Sequence, residues 1–334
     1  MQPLTLAGPS SMDETRRVRT VRTPNSDDVD RAVKTVAAHL PVTPVVASPS
    51  LGEDVALKLE TLQPTGSFKV RGGLCAVAKA LEADRSCHVV AASAGNHGLG
   101  VAFAASRLGA DATVVVPVNA SEVKVAALMR FPVNLVRHGT SYDEAEAHAM
   151  SLADRGARYI SPYNDPDVIA GQATVGVELL RQLPDLAMVV APVGGGGLVS
   201  GLCIVLAASR GIEVLGVEVA ESPTMQKALE AGHAVPLELP PTLADGLAGN
   251  LEPGSVTIEL ARRYLSGVVT VSEDEIEEAI RFLASEHGLI VEGSGAVVAA
   301  AFLKGRIQPK GKVAGVLTGR NIAPASFLEV LAKG

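Results

Sequence analysis

Residues 61–73 read TLQPTGSFKVRGG, which places Lys69 just after a Pro-Thr-Gly-Ser turn and at the start of a predicted helix. An amine at this position lies near helix-terminal N–H groups, whose partial positive charge disfavours the protonated form. A neutral amine can attack an aldehyde, so Lys69 is a candidate Schiff-base lysine. Most lysines are instead exposed and solvated. Other parts of the sequence are therefore needed to distinguish a Schiff-base lysine from an ordinary surface lysine.

Short β-branched runs alternate with Ala-rich amphipathic segments along the chain, a pattern typical of βαβ units and parallel sheets. The predicted strands are 55–59, 88–92, 113–116, 134–136, 188–191, 213–219, 268–271 and 313–317. The predicted helices are 26–39, 70–81, 98–108, 121–130, 141–154, 167–182, 198–208, 223–231, 256–264, 273–287 and 295–302. We therefore expect an α/β fold.

Four consecutive glycines, Gly194–Gly197, separate an apolar strand from a helix that begins near Leu198. Glycines let the backbone approach an anion closely, and the free N–H groups of the loop and helix start can then hold a phosphate. A dinucleotide site would favour G-x-G-x-x-G, but the register from Gly195 meets Ser200 at the third glycine. Glu213 and Glu218 lie near the place of an acidic ribose partner, so an NAD-dependent dehydrogenase stays as an alternative.

Further short motifs occur in a fixed order around Lys69. They are LKLE at 57–60, PTGSFK at 64–69, SAGNH at 93–97, GGGGL at 194–198, ADG at 244–246 and LTGRN at 317–321. Together they resemble the motifs of the threonine/serine dehydratase (ammonia-lyase) and serine racemase family, which are fold-type II enzymes that use pyridoxal 5'-phosphate (PLP). The resemblance runs from about Pro41 to the C-terminus.

The resemblance implies a tryptophan synthase β-like architecture, with two open parallel-sheet α/β lobes and the cofactor between them. A large PLP-binding domain would comprise 26–87 and 166–334, a small domain 88–165, and an N-terminal arm 1–25. Allosteric family members carry a regulatory domain after the catalytic part, whereas this chain stops at Gly334. We expect no C-terminal regulatory domain, and we expect a homo-oligomer.

The resemblance also implies roles for individual residues. Lys69 would be catalytic, and the cofactor-binding residues would be Phe68, Lys69, Asn96, Gly194, Gly195, Gly196, Gly197, Leu198 and Thr318. The substrate would be bound at Ser93, Ala94, Gly95 and His97. Asn96 would face the ring hydroxyl and Thr318 the pyridine nitrogen, while Glu292 matches a family glutamate near the ring.

One departure from the family distinguishes two reactions. Serine racemases of the family have a serine at the position of Ala94, on the ring face opposite the lysine, and Ala94 has no proton to give. Racemisation needs an acid or base on each face, whereas dehydration needs only the lysine side. We therefore predict a dehydratase that converts a β-hydroxy L-amino acid, threonine or serine by default, to a 2-oxo acid and ammonia.

Several alternatives stay open at this point. The first alternative is a different substrate, of the 3-hydroxyaspartate, phenylserine or hydroxylated-solute type. Tyr163 and Asn164 replace the Phe-Asp that is more usual in the family, so the substrate pocket can differ from that of a plain threonine enzyme. Arg320 or Arg137 offers a possible partner for a second carboxylate, although a surface role suits each. A β-replacement enzyme is the rival within PLP chemistry, and a non-catalytic amino-acid-binding protein is the rival outside enzymology.

Composition excludes other classes of partner. The formal net charge of −7, the absence of tryptophan and the 3% aromatic content argue against nucleic-acid binding. The uncharged stretch 186–209 is long enough to suggest a membrane span, but Pro192 and four glycines would break such a helix. We expect a small-molecule amino-acid substrate, no nucleic acid and no membrane.

Cysteines and carboxylates add two expectations. Cys75, Cys87 and Cys203 are scattered and odd in number, which suits reduced thiols in a cytoplasmic protein. Many family members bind a divalent cation through a glutamate and an aspartate six residues later, where this chain has Glu218 and Thr224. Losing one hard oxygen ligand weakens such a site, so we expect no tight metal site.

Overall fold

The computed structural model describes residues 19–308 and 310–333. Most of the predicted N-terminal arm, residues 1–18, lies outside the described residues. The strands of the described part form two sheets, one of six strands and one of four. They are β1 (Val45–Ala47), β2 (Val55–Leu59), β3 (Val89–Ala92), β4 (Ala112–Val116), β5 (Asn134–Arg137), β6 (Arg158–Tyr159), β7 (Leu186–Pro192), β8 (Glu213–Val219), β9 (Gly267–Val271) and β10 (Lys312–Leu317).

Helices connect and cover these strands. They are α1 (Ser26–His39), α2 (Lys69–Ala83), α3 (Asn96–Leu108), α4 (Glu122–Leu128), α5 (Tyr142–Ala153), α6 (Pro166–Gln182), α7 (Gly197–Leu202), α8 (Ala208–Arg210), α9 (Thr224–Ala231), α10 (Val256–Tyr264), α11 (Glu273–His287), α12 (Gly293–Leu303) and α13 (Pro324–Ala332). A short 3₁₀ turn covers Glu60–Leu62, and a π-helical turn, Cys203–Ala207, joins α7 to α8.

Local sequence explains where several helices begin. Asn25 caps α1 by accepting the N–H of Asp28, whose carboxylate accepts the N–H of Asn25 in return. Ser272 and Glu275 form the same reciprocal box at α11. Such side chains satisfy N–H groups that have no acceptor inside the helix.

The six-stranded sheet has the order β1-β2-β10-β7-β8-β9, and only the edge strand β1 runs antiparallel to its neighbour. Neighbouring residues of β7 point to opposite faces, as a strand's period of two requires. Val190 packs in the core that contains α11 and α12. Val189 and Ala191 pack in the core that contains α6 and α7. This sheet with its helices is called the large lobe.

The four-stranded sheet has the order β5-β4-β3-β6, and all its described pairs are parallel. Val90 and Ala92 of β3 pack against α5. Val89 and Ala91 share a core with α3, but also with α1 and α2. This sheet with α3, α4 and α5 is called the small lobe, and α2 packs between it and α6 of the large lobe.

The structure confirms the predicted α/β fold with two parallel-sheet lobes. The uncharged stretch 186–209 folds as strand, glycine loop and buried helix, as predicted. The structure adds elements that the sequence pattern did not predict, namely β1, β6, α13, the 3₁₀ turn and the π-helical turn. Across the described residues, every helix is too short or too polar to cross a membrane.

Candidate active site

Loops at the carboxyl ends of three strands converge on one region. Ser93–His97 follows β3 of the small lobe, Gly194–Gly197 follows β7 and Thr318–Asn321 follows β10 of the large lobe. The carboxyl end of a parallel sheet is where α/β proteins bind ligands. Within the large lobe, strand direction therefore brings the glycine loop and Thr318–Asn321 to the same edge of the sheet.

Lys69 is the first residue of α2, as predicted. Its Nζ donates to the carbonyl oxygen of Pro162 at 2.8 Å and lies 5.2 Å from the ring centroid of Phe68. Burial lowers the pKa of Lys69 to about 8, and the carboxylate of Glu292 opposes this shift. Burial, rather than the helix terminus invoked from the sequence, thus brings the amine towards its neutral form.

The turn before Lys69 is tied to the end of β10. The N–H of Phe68 donates to the carbonyl of Thr318 at 3.0 Å, and the N–H of Arg320 donates to the carbonyl of Gly66 at 2.9 Å. Gly66 has a φ of +76°, and a Cβ there would lie 2.5 Å from Oδ1 of Asn321. Only glycine fits this position without strain, so the motif fixes where α2 begins.

The glycine loop packs so closely against its protein neighbours that side chains would not fit at its two central positions. A Cβ at Gly195 would lie 2.2 Å from the Tyr163 ring, and one at Gly196 would lie 2.6 Å from Cε of Met225. Gly196 has a φ of +82° and precedes α7, whose first N–H groups have no acceptor within the helix. The hydroxyl of Thr257 donates to the carbonyl of Gly195 at 2.9 Å and holds the loop from behind.

Asn96 is the first residue of α3 and joins a polar network between the lobes. Its Nδ2 donates to Oε1 of Glu292 at 2.7 Å, and its Oδ1 accepts from Nδ2 of Asn321 at 2.6 Å. The N–H of Asn321 donates to Oε2 of Glu292 at 2.9 Å. Burial raises the pKa of Glu292 to about 7, with the nearby charge of Asp245 adding to the effect.

The SAGNH loop, residues 93–97, begins with residues next to open space and ends with a buried histidine. The N–H of Gly95 donates to Oγ of Ser93 at 3.1 Å, and the Cβ position of Gly95 faces open space. His97 is buried, and its Nε2 is 2.9 Å from the carbonyl oxygen of Ile160. Burial lowers the pKa of His97 to about 3, so this ring is neutral at physiological pH and cannot act as a cationic group.

Thr318 is buried at the end of β10, and its backbone carbonyl receives the Phe68 N–H. This hydrogen bond places Thr318 beside the turn that precedes Lys69.

Glu218, the candidate for a ribose or metal ligand, has another role. Its two carboxylate oxygens accept the N–H groups of Met225 and Gln226 at 2.6 and 2.9 Å, which caps α9. Its oxygens are therefore committed to a helix terminus. No group of three or more metal-ligating side chains was found in the described segments, and the expectation about divalent cations stays a prediction.

Comparison with known proteins identifies the family. The family described as "Pyridoxal-phosphate dependent enzyme" matches residues 36–319. This chain is a pyridoxal-phosphate-dependent enzyme. The resemblance inferred from the motifs is confirmed, and the alternative of an NAD-dependent dehydrogenase is not supported.

Relatives of this PLP-dependent enzyme include lyases and racemases. It is 42% identical over 292 residues to the L-threonine ammonia-lyase of Thermotoga maritima, covering 86% of this chain and 72% of that protein. The processed form of threonine deaminase isoform 2 from Solanum lycopersicum has a TM-score of 0.82 and 29% identity, covering 100% of each chain. Maize serine racemase has a TM-score of 0.86 and 28% identity, covering 93% of this chain and 98% of that one.

The residues present fit PLP. The N–H groups of the glycine loop and of the first turn of α7 suit a phosphate, the partly neutral amine of Lys69 suits an aldehyde, and the hydroxyl of Thr318 at the end of β10 suits a ring heteroatom. These groups belong to three different chain segments. Their convergence supports one binding site for the whole cofactor.

Several site contacts were not predicted from the sequence. Asn321 links Asn96 to Glu292, and Tyr163 packs against the glycine loop. Asn321 lies inside the LTGRN motif, so the sequence carries a usable signal for it. Tyr163 departs from the usual family residue, but its contact with Gly195 depends on the fold. Arg137, in contrast, pairs with Glu122 on the surface.

Proposed function

We propose that this PLP-dependent enzyme is an ammonia-lyase that converts L-threonine, or a related β-hydroxy L-amino acid, to a 2-oxo acid and ammonia. Proteins named L-threonine ammonia-lyase and threonine dehydratase are 34–42% identical to it over most of its length. The observation that carries the proposal is the amine of Lys69, which donates to the carbonyl of Pro162, has a lowered pKa and follows a turn bonded to the end of β10.

The chain's own groups perform separable tasks in this reaction. When bound, PLP supplies an aldehyde that links to amines and a conjugated ring that delocalises the charge left by loss of the α-proton. Lys69, with its pKa lowered to about 8, can take a proton at Nζ near neutral pH and return it. We assign the phosphate to the N–H groups from Gly194 to Leu198, because the first turn of α7 carries N–H groups that have no acceptor within the helix.

The remaining cofactor and substrate roles follow from position. We assign the ring nitrogen to Thr318, the ring hydroxyl to Asn96, and packing against the ring to Phe68. The substrate carboxylate would lie at the start of α3, at Ser93, Gly95 and the neighbouring N–H groups, since a helix N-terminus favours an anion. His97 is better assigned to holding this loop, because its ring bonds the Ile160 carbonyl.

Elimination is favoured over racemisation by Ala94. An alanine cannot donate or accept a proton on the face opposite Lys69. We therefore infer that the α-proton leaves and returns only on the lysine side, which elimination permits and efficient racemisation does not.

We propose that residues 88–165 are the small domain, that 26–87 and 166–334 are the large one, and that the enzyme is a cytoplasmic homo-oligomer. Three free thiols, at Cys75, Cys87 and Cys203, suit a reducing compartment.

The test is 2-oxo acid release from L-threonine by the purified enzyme with added PLP. Lys69→Ala is expected to lower turnover at least about 100-fold, because a positioned base alone contributes that much. Lys79→Ala is the matched control, since Lys79 lies on the same helix but is exposed and pairs with Glu82. The control should retain wild-type turnover.

Three results would count against the proposal. Appreciable turnover by Lys69→Ala would remove the assigned base. D-serine formed from L-serine at a rate comparable with elimination would contradict the inference from Ala94. Wild type inactive on threonine and serine would exclude an ordinary threonine dehydratase, and 3-hydroxyaspartate and phenylserine would then be assayed in the same way.

A further inference from the structure

Arg19, in the segment before α1, reaches across the chain to a buried carboxylate. Its Nε and Nη2 donate to the two oxygens of Glu252 at 2.6 and 2.8 Å, and Nη2 also donates to the carbonyl of Asn164 at 3.1 Å. Glu252 is only 4% exposed. Such a two-point arginine–carboxylate pair has fixed geometry and is stronger than a neutral hydrogen bond.

Glu252 and Asn164 are joined to each other as well as to Arg19. Nδ2 of Asn164 donates to Oε2 of Glu252 at 2.7 Å, and Oδ1 of Asn164 accepts from the N–H of Val256 at 3.2 Å. The N–H of Glu252 donates to the hydroxyl of Tyr163 at 2.8 Å. Asn164 is fully buried, so removing any one partner leaves another polar group unpaired.

The three consecutive residues Pro162–Asn164 contact Lys69, the glycine loop and the Arg19–Glu252 pair, respectively. The carbonyl of Pro162 accepts from Nζ of Lys69. Tyr163 packs along the glycine loop, because the Cβ position of Gly195 lies 2.2 Å from its ring and that of Gly197 lies 3.0 Å from its Cα. Asn164 is held by Glu252 and Arg19.

We propose that Arg19 is a positioning residue for the PLP site, acting through Glu252 and the segment Pro162–Asn164 on both the phosphate loop and the catalytic amine. The inference rests on the cofactor roles assigned to Lys69 and the glycine loop, but it does not depend on which amino acid is the substrate. Arg19 would thus set cofactor affinity without touching the cofactor.

The test measures PLP affinity directly, by titrating apoenzyme with PLP in the absence of any amino acid. Arg19→Met is expected to raise the Kd about 10- to 100-fold, since it leaves the buried Glu252 carboxylate without its charged partner. Arg22→Met is the matched control, because Arg22 is in the same segment but pairs with Asp28 on α1. This control should leave the Kd within about twofold of wild type, as expected for a half-exposed ion pair.

A second variant tests whether Arg19 affects PLP affinity through Tyr163. Tyr163→Phe keeps the ring against the glycine loop but removes the hydroxyl that accepts from Glu252, so a smaller rise in Kd is expected. In the double variant Arg19→Met/Tyr163→Phe, the rise should be less than the product of the single effects, since neighbours on one path are not additive. The Tyr163→Phe variant keeps the proposal testable if Arg19→Met folds poorly.

A purely structural role for Arg19 gives a different pattern. It would lower the apoenzyme melting temperature and leave the PLP Kd equal to that of Arg22→Met. That result, or single effects that multiply in the double variant, would overturn the proposal. Because no substrate is present, these outcomes are separate from any failure of the enzyme to act on threonine.

Discussion

Lys69 is an amine withdrawn from water, with one carbonyl acceptor and one carboxylate nearby. Its lowered pKa leaves about a tenth of the side chains neutral at pH 7. An ordinary lysine would be almost wholly protonated there. At the scale of one residue, burial therefore supplies the chemistry that the site needs.

This shift predicts how cofactor attachment depends on pH. The rate at which apoenzyme attaches PLP covalently should rise about tenfold per pH unit below pH 8 and level off above it, because only the neutral amine reacts. Stopped-flow absorbance after mixing apoenzyme with PLP measures this rate.

A second variant checks the assigned cause. Since the Glu292 carboxylate raises the pKa of Lys69 against the effect of burial, Glu292→Gln should move the midpoint to lower pH. A midpoint near 10.5, the ordinary value for lysine, would show that the amine is not buried in solution.

Helix α2 is held in place by a buried network of charged side chains around Arg71, two residues after Lys69. Arg71 is fully buried and donates to both carboxylate oxygens of Glu60 and of Glu178, at 2.7–2.8 Å. Lys58 donates to Glu178 at 2.6 Å, so two cations balance two carboxylates. The network joins β2, α2 and α6, and it thereby fixes the helix that carries Lys69.

Breaking this network on one side should destabilise the fold. Arg71→Met would leave two buried carboxylates short of positive charge and is expected to cost about 3–5 kcal/mol of unfolding free energy. Urea unfolding of the apoenzyme, followed by circular dichroism, measures the change.

Lys79→Met on the same helix is the matched control. Its exposed pair with Glu82 is expected to contribute less than about 1 kcal/mol. If the two substitutions lowered the unfolding free energy equally, the buried pairs of Arg71 would stabilise the fold no more than an exposed pair does.

The two lobes meet at the site and share part of their packing. One core combines α1 and α2 with β3 and α3 of the small lobe. The lobes are also joined by an exposed ion pair. Nζ of Lys124 on α4 donates to Oδ2 of Asp245 in the large lobe, and both side chains are partly exposed. Asp245 and Lys124 also influence the pKa of Glu292, which places the pair beside the polar network of the site.

This pair is expected to restrain the opening between the lobes weakly. Lys124→Gln should accelerate PLP release by up to about fivefold, corresponding to the roughly 0.2–1 kcal/mol typical of an exposed ion pair. In about 1 M salt, wild type should approach the variant, because charges are then screened within roughly 3 Å. Transfer of released PLP to a scavenging protein gives the rate.

Arg137→Gln provides the comparison for this prediction. It removes a similar exposed pair, with Glu122, but both partners lie within the small lobe. If both variants released PLP at the same rate, the pair between the lobes would have no particular effect.

Sequence patterning was sufficient for strands and helices with a strong period and clear ends. β2, β8, α1, α10 and α11 have the predicted bounds. The three-residue edge strand β1 and the two-residue β6 were missed because such short runs carry too little pattern. The π-helical turn Cys203–Ala207 was missed because the sequence there reads as continuous helix.

By itself, the sequence determined the α/β class and, through the resemblance of its short ordered motifs, the cofactor, and it indicated Lys69 and the glycine loop as candidate site residues, because each depends on local residue chemistry. The tertiary structure alone decided the contacts between distant segments. Asn96 meets Glu292 across 196 residues, and Arg19 meets Glu252 across 233. Such contacts depend on how sheets and helices pack, and burial in that packing, not the local sequence, lowers the pKa of Lys69.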